Sequence, residues 1–249
     1  MLELDKITFS IRNEEGVTQK ILDHISLKAK KGEFIIVSGR NGTGKSTLLN
    51  VITGELTGYT GTLKINQHSL KKTNPELRSR WISKVSQNPK EAVIDDFTIE
   101  ENMAFAYLRG QKRGLHWFRS QQRRKIFQQK LGILEMNLEN RLSDRAKMLS
   151  GGQKQALSLI MATLASPEVL LLDEHTSALD PKMAERIMEI TEKIVRTEKI
   201  TTLMISHNIS HLHKYGDRIL TLDQGKIVRD FSQKEKAALT RSDLKSFYE

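Results

Sequence analysis

Nine consecutive residues constrain this chain more than any others: Gly39-Arg-Asn-Gly-Thr-Gly-Lys-Ser-Thr47. They match the pattern G-x-x-x-x-G-K-[ST]. The context is right as well, because the apolar run Phe34–Val37 precedes them and Ser46-Thr-Leu-Leu-Asn-Val-Ile52 reads as a helix after them. Glycines at 39, 42 and 44 let the backbone curl until its N–H groups converge on phosphate oxygens, and the helix N-terminus adds its positive dipole end. Gly39, Arg40, Asn41, Gly42, Thr43, Gly44, Lys45, Ser46 and Thr47 are therefore the first candidate binding residues. Lys45 is placed to reach the β and γ phosphates, and the Ser46 hydroxyl to ligate Mg²⁺.

The rest of the chain supplies a setting for such a loop. Apolar residues alternate at Ile7, Phe9 and Ile11 and again at Ile25, Leu27 and Ala29, which predicts strands with turns at 13–16 and 31–32. Phe34–Val37 is continuous and predicts a strand buried on both faces. From about residue 95 the pattern turns helical. Thr98-Ile-Glu-Glu101 has capping-box spacing before an apolar-periodic segment through Leu108, and further helices are expected over about 119–135 and 153–165. Strands return at 168–172, 201–205 and 218–222. Between them Asp180-Pro181 opens a helix whose inner face is Met183, Ile187, Ile190 and Ile194. Asp223-Gln-Gly225 signals a hairpin turn, and the charged tail after Phe231 reads as a loose helix.

Two further motifs carry chemistry. Val169-Leu-Leu-Leu-Asp-Glu174 is an apolar strand ending in two acids. Beside a phosphate loop, Asp173 is positioned to hold Mg²⁺ through water and Glu174 to orient an attacking water. Leu149-Ser-Gly-Gly-Gln153 opens a predicted helix, so Ser150, Gly151, Gly152 and Gln153 form a second anion cradle at a helix N-terminus. Ser-Gly-Gly alone is an ordinary helix start; the ordered set of motifs is not ordinary.

That set is Gly39–Thr47, Gln87, Leu149–Gln153, Asp173-Glu174, Ser177-Ala-Leu-Asp180 and His207, and it resembles the nucleotide-binding domain of ABC ATPases over roughly residues 2–230. The resemblance implies an α/β fold: a P-loop NTPase (RecA-like) core with an antiparallel β subdomain and an inserted α-helical subdomain. The expected boundaries are a core at about 1–94 and 166–231, a helical subdomain at about 95–165 and a tail at 232–249. It also implies ATP and Mg²⁺ as cofactors and a head-to-tail homodimer, with ATP between Lys45 of one copy and Ser150 of the other. Gln87 is implied as an Mg²⁺ and water contact, His207 as a γ-phosphate contact, and Asp180 as part of the nucleotide site. The catalytic set is then Glu174, His207, Gln87 and Lys45, with Ser46, Gln87 and Asp173 around the metal. Two positions depart from the family. Ile11 stands where an aromatic residue commonly stacks on adenine, and His175 stands where Pro or Ala commonly follows the acid.

Composition narrows the setting. With no cysteine, disulfides and thiolate metal sites are excluded. The densest apolar stretch, 156–165, falls short of the ~20 residues of a spanning helix, and an acidic start, Met1-Leu-Glu-Leu-Asp5, is unlike an export signal. The expected location is the cytoplasmic face of the cell membrane, with separate permease subunits as partners. The formal charge of +10 concentrates in Arg109–Lys130, which holds eight Lys/Arg and no acid. That run, with Trp117, Phe118 and Phe127, suits anionic lipid headgroups or nucleic acid. A soluble ABC ATPase acting on nucleic acid or ribosomes is the alternative class. The chain has one such domain rather than two, and only 105 positions separate Lys45 from Ser150, leaving no room for long coiled coils. No nucleic-acid partner is therefore expected. The segments 109–117, 161–164 and 173–176 are similar to bacterial ATPases of amino-acid uptake. The resemblance further places a permease helix beside Gln87, where Ile94, Phe97, Trp117 and Phe118 are the expected apolar anchors.

Overall fold

A computed structural model describes residues 1–12, 16–110 and 121–245. The strands with continuous apolar sequence lie in the middle of a sheet, as two-sided burial demands. Among the described residues this sheet has six strands in the order β10-β9-β3-β8-β7-β6: β3 (Phe34–Ser38), β6 (Ile82–Val85), β7 (Val169–Asp173), β8 (Thr201–Ile205), β9 (Arg218–Asp223) and β10 (Lys226–Phe231). All pairs are parallel except the β9–β10 hairpin at the edge.

Strand period sorts the core into two layers. Phe34, Ile36, Leu170, Leu172 and Met204 face one cluster, which also takes in α3 (Ile99–Tyr107), α4 (Gln121–Gly132), α5 (Gly151–Thr163) and the inner side of α6 (Pro181–Glu198). Their alternates Ile35, Val37, Val169, Leu171, Leu203 and Ile205 face the other, with α1 (Lys45–Thr53) and a second sheet. That sheet is antiparallel, ordered β2-β1-β4-β5, from β1 (Leu2–Arg12), β2 (Thr18–Ala29), β4 (Thr60–Ile65) and β5 (His68–Ser69). In β1 a bulge around Lys6, at φ 51°, flips the inward parity from Leu2 and Leu4 to Ile7 and Phe9.

Local signals place the helix starts. Thr98 Oγ1 accepts from Glu101 N at 3.1 Å while the Glu101 carboxylate accepts from Thr98 N at 2.8 Å, the reciprocal cap read from the sequence. Asp180 accepts from Met183 N at 3.0 Å with Pro181 in the first turn. Several boundaries differ from the sequence reading. The helix expected over 119–135 is described from Gln121 and stops at Gly132, where a turn follows; 119–120 lie outside the described residues, as do most of the 13–16 turn and the anchors Trp117 and Phe118. The tail forms two short helices, α8 (Gln233–Ala238) and α9 (Arg241–Lys245), rather than one. They pack back through buried Leu244 and through Lys236, whose ammonium donates to Gly216 O at 2.6 Å. Strands β4 and β5 and α2 (Pro75–Arg78) carried too short a pattern to be read individually, whereas the core strand expected to end at Gln87 is β6, which stops at Val85.

α2 delivers Arg78, 1% exposed, to the far end of α1. Its guanidinium donates to Val51 O at 2.7 Å, Ile52 O at 3.0 Å and Leu70 O at 2.8 Å. The bonds to Val51 and Ile52 satisfy carbonyls that a helix C-terminus leaves open, and the cation suits the negative dipole end. Replacing Arg78 by Met strands several buried acceptors at once, so urea denaturation is expected to show a loss of about 3 kcal/mol or more; a change below about 1 kcal/mol would show that water takes over these carbonyls.

Candidate functional site

Crossover connections bring the motifs together. β8 lies between β3 and β7, with Val37 and Asp173 both level with Ile205. The loop after β3, the acids ending β7 and the His207 segment after β8 are thereby side by side at the carboxyl edge of the sheet, where α/β folds bind ligands.

At Gly39 and Gly44 the loop passes too close to its neighbours for a side chain. A Cβ on Gly39, at φ 135°, would lie 2.2 Å from Leu222 O, and one on Gly44, at φ 98°, 2.8 Å from Ile21 O. Thr43 Oγ1 donates to Arg40 O at 2.9 Å and closes the turn. The hairpin read only as a turn has a second task, because Gly225 N donates to Thr43 O at 3.2 Å and Gly225 O accepts from Asp23 N at 2.8 Å. Gly225 thus ties the loop to β2, a link that no local pattern announces.

Lys45 is 6% exposed, and its ammonium donates to Gly39 O at 2.8 Å and Arg40 O at 2.7 Å. Burial lowers its pKa, opposed by the charges of Glu174 and Asp173. A buried cation held only by neutral carbonyls is suited to receive an anion. Asp173 shows the converse. Burial raises its carboxyl pKa, against the attraction of Lys84, the Ser46 hydrogen bond and Lys45. Ser46 Oγ donates to Asp173 Oδ1 at 3.3 Å. A hydroxyl beside a carboxylate, both hard oxygen ligands, suits a hydrated divalent cation bound to phosphate.

Glu174 follows in a left-handed conformation, φ 48°, with its N–H on Ile205 O at 3.2 Å and its carbonyl accepting from Ser177 Oγ at 2.9 Å. His207 Nε2 lies 2.9 Å from Glu174 Oε1. The structure therefore brings together Lys45, Ser46, Asp173, Glu174 and His207. Gln87 is exposed in a bend after β6, and Asp180 is engaged as the cap of α6. Ser150 closes a capping box on its own helix, accepting from Gln153 N at 3.3 Å while Gln153 Oε1 accepts from Ser150 N at 3.1 Å. Gly152 has a packing reason too, since a Cβ there would lie 2.7 Å from Met183 Cγ. Two residues missed in the sequence bear on the site. Lys84 acts on Asp173 electrostatically, and Gln155 of α5 donates to Ser86 O at 3.4 Å, beside Gln87.

His175 is 2% exposed, and burial holds its ring neutral, with the pKa pushed down to about 3; the charge of His211 adds to this. Among the described residues, no helix is long and apolar enough to cross a membrane.

A phosphate loop, paired acids and a histidine on adjacent parallel strands define a nucleotide-hydrolysing site, and the comparisons give its family. The chain belongs to the ABC transporter family, whose profile matches residues 22–177. It is an ATP-binding, ATP-hydrolysing member. It is 38% identical to the tyrosine transport ATP-binding protein of Clostridioides difficile, over 100% of this chain and 99% of that one. It is 30% identical to the energy-coupling factor transporter ATP-binding protein EcfA1 of Lactococcus lactis, over 98% of this chain and 83% of the relative. Among solved structures it is similar to a dimeric ATP-binding cassette, MJ0796, in a post-hydrolysis state bound to ADP and Pi, with a TM-score of 0.80, 26% identity and coverage of 94% and 99% of the two chains.

Proposed function

We propose that the chain is the motor subunit of a bacterial importer for a small solute of amino-acid type, working as a homodimer on separate permease subunits. The observation that carries the catalytic part is the alignment of Lys45, Ser46, Asp173, Glu174 and His207 along one sheet edge. The dimer is supported by the exposed Ser150 turn, a second helix N-terminus able to meet a phosphate, and by the dimeric state of the similar cassette. The cargo class is supported by the relative named for tyrosine transport, matched end to end.

In this reading residues 39–47 bind the phosphates through backbone N–H groups, and Lys45 exchanges its carbonyl partners for phosphate oxygens. Ser46, Asp173 and Gln87 hold Mg²⁺, which supplies charge neutralisation to the β and γ phosphates when bound. Glu174 accepts a proton from the attacking water, and His207, now on Glu174, contacts the γ-phosphate. Ser150, Gly151, Gly152 and Gln153 of the second copy close the site, with Asp180 at the seam. Glu174→Gln is expected to bind ATP and to lose hydrolysis by on the order of 10² to 10⁴, whereas Lys45→Ala loses binding. Turnover near the parent rate in Glu174→Gln would remove Glu174 as the base.

The base-binding face is open. Phe9 is buried in the core, whereas Ile11 is 44% exposed beside Arg12 on β1. With no aromatic at that register, adenine is held by apolar contact. Ile11→Tyr is expected to tighten ATP binding by up to roughly tenfold. A titration showing strong ATP preference and no change in the variant would place the base elsewhere.

The coupling surface lies beside α3. Ile94, Phe97 and Phe105 are 41%, 40% and 46% exposed around an apolar groove of 590 Å³. A second groove of 1170 Å³ shares Phe105 and reaches Ser86 and Arg109. Apolar anchors with a charged rim suit a permease's cytoplasmic helix. The basic run is less available to lipid headgroups than its sequence suggests, since Arg124 pairs with Glu100 at 3.3 Å and Lys130 with Glu198. The isolated chain is expected to be a weak ATPase that a permease accelerates. Phe105→Glu is expected to abolish that acceleration and spare basal turnover. Full activity without any permease, unaffected by Phe105→Glu, favours a soluble ATPase.

A further inference from the structure

His175 joins the end of β7 to the middle of α6. Its Nε2 lies 3.2 Å from Thr191 Oγ1, and that hydroxyl spends its one proton on Ile187 O at 2.7 Å. Thr191 can therefore only accept from the ring, which fixes the neutral tautomer with hydrogen on Nε2. The imidazole is a rigid strut with a single donor aimed at a single acceptor.

What the strut supports is the residue before it. Glu174 holds φ 48°, a region that non-glycine residues occupy only when their surroundings over-determine it. Its N–H and carbonyl are fixed by Ile205 and Ser177, which act on the side toward β8 and the following turn. His175 adds a tie to α6. α6 is itself tied to α7 (Ile209–Lys214), the helix that follows His207, because Tyr215 OH donates to Glu185 Oε1 at 2.7 Å. His211 of α7, 3% exposed, completes the buried layer and packs edge-on to Tyr215 with ring centroids 5.8 Å apart. The carboxylate of Glu174 and the ring of His207 thus hang from two ends of one braced frame.

We propose that His175 is a positioning residue for ATP hydrolysis, whose hydrogen bond to Thr191 locks the Glu174 peptide so that its carboxylate faces His207 and the attacking water. The inference rests on Glu174 being the base. Pro or Ala in place of His175 could not make this bond.

The test uses four variants of the full chain. His175→Phe keeps a buried ring without the donor, and Thr191→Val keeps the shape without the acceptor. His175→Gln retains a donor, and Thr191→Ser retains the hydroxyl. Loss of one such bond is expected to lower kcat about fivefold to tenfold in His175→Phe and in Thr191→Val. KM and the affinity for a non-hydrolysable ATP analogue are expected to stay within about twofold, because the bond restrains the base and not the phosphate loop. Thr191→Ser and His175→Gln are expected to keep most of the activity, and the double variant to be no slower than either single one. Parent-like kcat in Thr191→Val, multiplying losses in the double variant, or an equal fall in affinity would overturn the proposal. If His175→Phe fails to fold, Thr191→Val against Thr191→Ser decides alone. Glu174→Gln measured alongside separates the two ideas: if it still turns over, the base assignment fails, whereas a silent Glu174→Gln with a parent-like Thr191→Val defeats only the role of His175.

Discussion

Two-sided burial of β3, β8 and β7 is the constraint on which the rest of the structure depends. Every residue of β3 and β8 is buried, so each strand must be covered above and below. Parallel strands of this kind can be joined only by crossovers, and the crossovers carry α1 on one face and α5 and α6 on the other. The carboxyl edge of such a sheet is where α/β folds carry their ligand loops. The phosphate loop, Asp173-Glu174 and His207 all occupy that edge, so the most rigid part of the chain positions its most reactive part.

Charge at this edge suits a bound anion. Lys45 is buried on carbonyl groups, its pKa lowered by desolvation, while burial pushes Asp173 toward its neutral form. Both gain from nucleotide phosphates with a cation between them. The same logic explains why the supports are distant in sequence. Gly225 holds the phosphate loop by its backbone, and Arg78 satisfies the opposite end of the helix that the loop begins. Neither takes part in the chemistry, yet both help fix where α1 points.

Much of this was legible in short stretches of sequence. The capping residues Thr98, Ser150 and Asp180 act within three positions of themselves, so their patterns survive without knowledge of the fold. Continuous apolar runs marked β3, β7 and β8 because burial on both faces removes alternation. Weak points have equally local causes. The bulge at Lys6 inverts the parity of β1, so alternation read from Ile7 says nothing of Leu2 and Leu4. The segments that became β4, β5 and α2 are too short for a period to emerge, and Arg78 in α2 looks like any surface arginine until α1 ends against it.

The sequence by itself determined the phosphate loop, the acids ending an apolar strand, the family resemblance and the helix starts, since each rests on residues within one turn or one strand of each other. Only the tertiary structure decided which of these meet. The insertion of β8 between β3 and β7 sets Glu174 against His207, thirty-three positions later, and the packing of α6 beneath β7 gives His175 its acceptor on Thr191. Strand order and helix packing follow from how buried faces are shared across the whole chain, and no local pattern encodes that sharing.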